Sequence, residues 1–287
     1  MTRIIMLSDT HHGGGPEGYR MQACYVHRLP ELLATLGQWI ADTGGADLIL
    51  HGGDTVGRSE PDLIGEAVAQ LAILPAPVRL ALGNHDMTTR DALVLWQELA
   101  GDLLPGGTAA CAIPLADCTV HVLPTQWGET PYYWDGGMPG ACLDPADVSA
   151  LECRLGSERG RPQIVLCHAA PGGVPTAQTG RAKEGDPPPP AYRAQLLRLV
   201  ERYPDLRLFL SGHSHINALG ELGSAHWLTA SSFSESPFEV KDIIVTASSL
   251  KVRTVAMHDR LPWRADYDWN AAYVQGRPRD RMLEVAW

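Results

Sequence analysis

Val78-Arg79-Leu80-Ala81-Leu82-Gly83-Asn84-His85-Asp86 carries an apolar, strand-like run into a glycine and three polar side chains able to bind a metal or move a proton. Alone, such a segment is a weak signal. Four other places in the chain repeat its grammar. Arg3 to Leu7 runs into Asp9-Thr10-His11, Asp47 to Leu50 into Gly53-Asp54, Ile164 to Leu166 into His168, and Leu206 to Leu210 into Gly212-His213-Ser214-His215. Each time, an Asp, Asn or His stands where a strand should end.

Between these runs, amphipathic helical spacing covers Leu29 to Ala41, Leu63 to Leu74, Ala92 to Leu99, Pro145 to Leu155 and Ala191 to Tyr203, several after an Asp or Thr suited to capping. The alternation predicts an α/β protein whose ligands gather at the carboxyl ends of its strands. After His215 the pattern turns strand-like over Ala225 to Ala230, Glu239 to Ala247 and Lys251 to Met257, with a hairpin turn at Ser248-Ser249. This reads as an antiparallel continuation of a second sheet. The stretch from Gly172 to Gly185, followed by Pro187 to Pro190, predicts a long exposed loop with a stiff end near the rim of the site.

A chain of 287 residues, 45% of them hydrophobic, is long enough for a sizeable core. The expected organisation is one domain over residues 1–260 and an aromatic-rich extension over 261–287. A net charge of -10 argues against an extended nucleic-acid face, which needs concentrated Lys and Arg. Six cysteines without C-x-x-C spacing predict reduced thiols and a cytoplasmic location. There is neither a signal-like h-region nor an apolar window of about 20 residues, so no membrane partner is expected.

The chemistry follows from the donor types. A mixed Asp, His and Asn set suits zinc, iron or manganese better than calcium. In extended chain Asp9 and His11 point to the same side, as do His213 and His215. Asp54 is the natural bridge, because one carboxylate can hold two cations about 3.5–4 Å apart.

The ordered set D-x-H, G-D, G-N-H-D, H and G-H-x-H resembles the calcineurin-like metallophosphoesterase superfamily. Its D-T-H and G-N-H-D blocks are similar to those of bacterial cyclic-nucleotide phosphodiesterases. The resemblance spans roughly residues 1–216 and implies a four-layer αββα fold, two packed mixed β-sheets flanked by helices. It further implies one metal ion on Asp9, His11, Asp54 and His215 and a second on Asp54, Asn84, His168 and His213. His85 would face the substrate as acid or phosphate contact, with Asp86 behind it as its carboxylate partner. The implied reaction is hydrolysis of a small, nucleotide-like phosphodiester by in-line attack of a hydroxide generated between the metals. A phosphomonoesterase, a DNA nuclease and a non-enzymatic interaction scaffold stay open as alternatives.

Selectivity must lie outside the motifs. Trp127, Tyr132 and Tyr133 are candidates to stack a flat substrate group. Arg181 and Lys183 are candidates for substrate anions, and His12 for the phosphate. The rings of Trp263, Tyr267, Trp269, Tyr273 and Trp287 are expected to wrap over the core, with the site rim or a homodimer contact as the other options.

Overall fold

The computed structural model describes residues 1–15, 20–104, 107–128, 133–134, 136 and 140–287. In chain order the elements are β1 (Thr2–Leu7), α1 (Leu29–Asp42), β2 (Leu48–His51), α2 (Pro61–Leu71), β3 (Val78–Leu80), α3 (Ala92–Leu99), β4 (Cys111–Pro114), β5 (Thr119–Val122) and α4 (Pro145–Ser157). They continue with β6 (Gln163–Leu166), α5 (Thr176–Thr179), α6 (Pro190–Arg202), β7 (Leu206–Ser211), β8 (Ala218–Leu222), β9 (Ala225–Thr229), β10 (Glu239–Val245), β11 (Ser249–Ala256) and β12 (Met282–Ala286). Two six-stranded sheets result, in the orders β12-β11-β10-β1-β2-β3 and β4-β5-β6-β7-β9-β8.

Strand periodicity builds the layers. Ile4 and Met6 of β1 enter the space between the sheets, whereas Ile5 and Leu7 pack with α1, α2 and α3. In the second sheet Ile164, Leu166, Leu208 and Leu210 face the other sheet, while Val165 and Phe209 meet α4 and α6. Each such side chain contributes about 1.5–3 kcal/mol when fully buried. The product is the expected four-layer αββα arrangement of two mixed sheets. Strands β1, β2 and β3 are parallel in one sheet and β5, β6, β7 and β9 in the other, so their carboxyl ends share a direction within each sheet.

Three expectations need correction. Strands β10 and β11 join the first sheet, with β10 antiparallel to β1; only β8 and β9 extend the second. The edge of β1 opposite β2 carries unpaired backbone groups that β10 satisfies, and hydrophobic alternation does not say which open edge a later strand will choose. Of the five long helices only α4 has a side-chain cap, Asp144 accepting from the Ala146 N–H. Three of the uncapped helices, α1, α2 and α6, and α4 as well, begin with proline at N1 or N2, where no N–H is missed, whereas α3 has neither device. The loop before α6 is exposed only in part: Gly172, Gly173 and Val174 are buried, and Val174 pairs with Gly185 through two backbone hydrogen bonds.

Residues 261–287 lie against both layers. Trp263 packs on Tyr25 and Phe238, Val274 enters the outer core of the second sheet, and β12 pairs with β11. Trp269 stands 82% exposed. Among the described residues no helix is long and apolar enough to cross a membrane.

A buried polar knot fastens this segment. The Lys241 Nζ donates to Asn217 Oδ1 at 2.7 Å and Thr254 Oγ1 at 2.9 Å, and Arg281 pairs with Glu239 at 2.6 Å. Burial pushes the Lys241 pKa down from 10.5 to about 7. Between these values the unfolded chain binds the proton that the folded one lacks, so Lys241 makes stability rise with pH over that window. Urea titrations at pH 7 and pH 10 should therefore show a smaller rise in stability for Lys241→Met than for the unchanged protein. Equal rises would mean that Lys241 has an ordinary pKa.

Candidate metal centre

The five motif loops leave the carboxyl ends of β1, β2, β3, β6 and β7, and backbone hydrogen bonds stitch them together. The Asp9 N–H donates to Gly53, the His11 N–H to Asp54 and the Gly212 N–H to His168. Five of the side chains that converge here sit on left-handed backbone: Asp9 (φ 56°), His11 (48°), Asp54 (53°), His213 (70°) and His215 (56°). Such conformations cost of order 1–3 kcal/mol each outside glycine and persist where the surroundings dictate them. Two glycines permit the close approach. A Cβ on Gly83 would strike the Asp54 carboxylate, and one on Gly212 would strike Asp9 and Ser8.

The geometry joins all seven ligands predicted from sequence. His11 Nε2 and His215 Nε2 lie 3.0 Å apart, with Asp9 Oδ1 at 3.9 and 3.5 Å from them. Asp54 Oδ2 stands 3.7 Å from His11 Nε2 and 3.3 Å from His168 Nε2, between the two groups. His213 Nδ1 is 3.0 Å from Asn84 Oδ1, and Asp54, His168 and His213 form a cluster of their own.

Two features show that this donor set fits cations. His168 Nδ1 is 2.8 Å from the Gly52 carbonyl and donates its proton there, so once the ring is neutral the lone pair sits on buried Nε2, which faces Asp54 Oδ2 at 3.3 Å. The His11 and His215 Nε2 atoms, which share one hydrogen bond at 3.0 Å, also converge on a point where a single cation could take a lone pair from each. Charge coupling agrees. Burial works against ionisation of Asp9 and Asp54, yet His215 carries Asp9 down to about 2 and His168 holds Asp54 well below the usual carboxylate range. Also against burial, Asp54 lifts His168 to about 9 and Asp9 lifts His215 to about 10.

His85 stands at the edge of the cluster, with a ring nitrogen within 4.8 Å of donor atoms of His11 and Asp54. Its Nδ1 is 3.1 Å from the Gly57 carbonyl, its ring packs on Trp134 at 4.9 Å and meets His11 edge-on at 4.8 Å. Asp86 is not behind it in the expected way. Its Oδ1 accepts the N–H groups of Thr55 and Val56 and its Oδ2 that of Gly83, so it shapes the loops around Asp54. The backbone turn at Asn84–Met87 directs the Asp86 side chain inward while His85 stays half-buried at the rim.

The expected substrate contacts are more scattered. Trp127 is buried, with its ring 4.9 Å from that of His213 and 5.9 Å from that of His168. Tyr132 lies outside the described residues, and Tyr133 is half-buried under the Arg90 guanidinium. Arg181 bonds the Tyr273 hydroxyl and Lys183 is exposed; neither lines the cavity beside the ligands. His12 turns towards α2, 2.7 Å from Glu66 and 3.3 Å from Gln70.

Sequence reasoning missed two carboxylates, and within the aromatic segment that ends at Trp134 it singled out other rings. Glu235 is buried, its Oε1 2.7 Å from His215 Nδ1 while Oε2 accepts the N–H groups of Met21 and Gln22. Asp186, from the loop before α6, stands 3.7 Å from His213 Nε2. Trp134 lines a cavity of about 460 Å³ with Asn84, Trp127, Asp186, Pro187–Pro190 and His213. Neither carboxylate has a spacing that announces it; the proline run beside Asp186 was the one usable hint.

The family model described as calcineurin-like phosphoesterase matches residues 2–217. A search of curated protein sequences returns no match. Among solved structures, a dimetal phosphatase from Danio rerio aligns with a TM-score of 0.63 at 12% identity, covering 89% of this chain and 96% of that one. A purple acid phosphatase from yellow lupin (Lupinus luteus) seeds aligns at 0.60 and 15% identity over 94% and 54% of the two chains. A 5'-nucleotidase from Candida albicans aligns at 0.56 and 11% identity over 96% and 54%. At these identities the likeness is one of fold.

The raised values of His168 and His215 imply that metal uptake at neutral pH displaces protons, since only neutral imidazole is a ligand. Calorimetry in buffers of different ionisation enthalpy should register that release, and metal affinity should climb with pH. Glu235→Gln puts an amide N–H against either His215 Nδ1 or the two backbone donors, disturbing the tautomer that leaves Nε2 for metal. Loss of such a partner costs about 10–100-fold in metal affinity. Titration calorimetry of this variant should show one site weakened by that factor and the other retained; two unchanged sites would refute the role.

Proposed function

Because the chain belongs to the calcineurin-like phosphoesterase family of metal-dependent phosphoester hydrolases, we propose that it is a dinuclear-metal phosphodiesterase acting on a small diester. Asp9, His11, Asp54 and His215 would hold one ion, and Asp54, Asn84, His168 and His213 the other. Manganese, iron and zinc all suit these donors. Bound there, the pair would lower the pKa of a water and neutralise phosphoryl oxygens as negative charge develops.

The chain's own groups do the positioning. Asp54 Oδ1 accepts the His85 N–H at 2.8 Å, which fixes the catalytic loop to the shared carboxylate. With the Nδ1 proton committed to the Gly57 carbonyl, His85 can donate from Nε2 only as the imidazolium, in which form it would hydrogen-bond a phosphoryl oxygen or protonate the leaving alkoxide. Trp134 lies against the same ring, with centroids 4.9 Å apart and planes tilted by 55°, and so limits its rotation.

The diester preference is carried by one observation. Along the described wall of the cavity beside Asn84 and His213, the one formally charged side chain is the Asp186 carboxylate. A monoester brings a second terminal negative charge, which that wall would repel, whereas a diester replaces it with an uncharged ester arm. Apolar walls at Trp127, Trp134, Ala169 and Pro187–Pro190 suit such an arm.

Turnover of a bis-nitrophenyl phosphodiester should exceed that of nitrophenyl phosphate, tested with manganese, iron and zinc in turn. A strong preference for the monoester would overturn the diesterase reading. His85→Ala should retain both ions by metal analysis while kcat drops about 100-fold or more. Loss of metal from that variant would instead make His85 a ligand.

A further inference from the structure

The cavity wall has a charge that phosphoryl chemistry does not employ. Asp186 is half-exposed to it, on left-handed backbone (φ 46°), between the Val174–Gly185 pairing and the proline run that opens α6. Both flanks are thus constrained, and the carboxylate is held at the cavity edge. Its oxygen lies 3.7 Å from His213 Nε2, beyond an ordinary hydrogen bond, and it accepts no hydrogen bond among the described residues. The contrast with Glu235, 2.7 Å from His215 Nδ1, is informative. Glu235 is spent on its histidine; Asp186 keeps lone pairs for whatever enters.

The geometry points to a cation subsite at Asp186, so that the substrate is a phosphodiester whose second ester arm carries an ammonium or guanidinium group. This rests on the phosphodiester reading above. The anionic phosphoryl group would lie at the ligand cluster and the cation at the carboxylate, with the connecting carbons along the proline and tryptophan walls. At a half-exposed carboxylate the attraction between unlike charges is modest and open to screening by salt. An aromatic wall is also hospitable to an alkylated ammonium. A second anionic group on the arm would meet the carboxylate and be rejected.

Three matched nitrophenyl phosphodiesters test the subsite with the full chain loaded with manganese: one bearing choline, one bearing its uncharged carbon isostere, and one bearing a carboxylate. The expected order of kcat/KM is choline, isostere, carboxylate, with about a tenfold step between the first two at low ionic strength. That step should shrink as salt is added, because Asp186 is partly exposed. In Asp186→Asn the ratio between choline ester and isostere should fall towards one, while metal analysis still finds both ions. Equal rates for the three esters, or a ratio unmoved by the substitution, would overturn the subsite. So would loss of an ion from Asp186→Asn, which would make the residue a positioning group for His213. If all three diesters are refused while a monoester is cleaved, the diesterase reading falls separately. The subsite is then judged by free choline, expected to inhibit the unchanged protein more strongly than Asp186→Asn; absence of that inhibition overturns it.

Discussion

One carboxylate organises the molecule's working end. Asp54 Oδ2 lies between His11 of the first sheet and His168 of the second, while Oδ1 accepts the His85 N–H. Buried and ionised, it is tolerable because imidazoles from both sheets surround it. The neighbouring constraints follow from it. Gly83 must lack a side chain, Asp86 must gather three backbone N–H groups to curve the loops, and Asp54 itself must adopt left-handed backbone. The folded core supplies the stability against which such local strain is set.

The two halves of the centre are supported unequally. His215 is nearly inaccessible and locked to Glu235, which also captures the Met21 and Gln22 N–H groups. Gln22 in turn exchanges hydrogen bonds with Asp268, and Asn217 receives the tail through Val274 and Gln275. The C-terminal segment therefore braces the ligand loop that follows β7. His213 is different: it keeps a quarter of its side chain exposed and faces the cavity with Trp127 at its ring. Rigidity on one side and access on the other suit a centre that must retain ions while admitting an ester.

Much of this was legible in the chain itself. The near-continuous apolar runs of β1, β2, β6 and β7 record burial on both faces, and a polar group directly after such a run marks a candidate site. The pairing of Asp86 with His85 was misjudged because adjacency in sequence says nothing about which way a one-turn helix sends successive side chains. The choice of sheet by β10 was misjudged because an open edge is a property of the assembled layers. Glu235 was invisible for a third reason. A buried carboxylate inside a serine-rich crossing between sheets has meaning only once His215 stands beside it.

By itself the sequence determined the alternation of strands and helices and the types and order of the candidate ligands, since these are written in local periodicity and side-chain chemistry; the layer order came only from the family that those residues resemble. The tertiary structure alone decided which nitrogen of each histidine faces the centre, which carboxylates support which ligands, and what lines the entrance. Those properties depend on distances of 3–4 Å between residues separated by tens to hundreds of positions. Folding two sheets against each other creates such distances, and no local pattern encodes them.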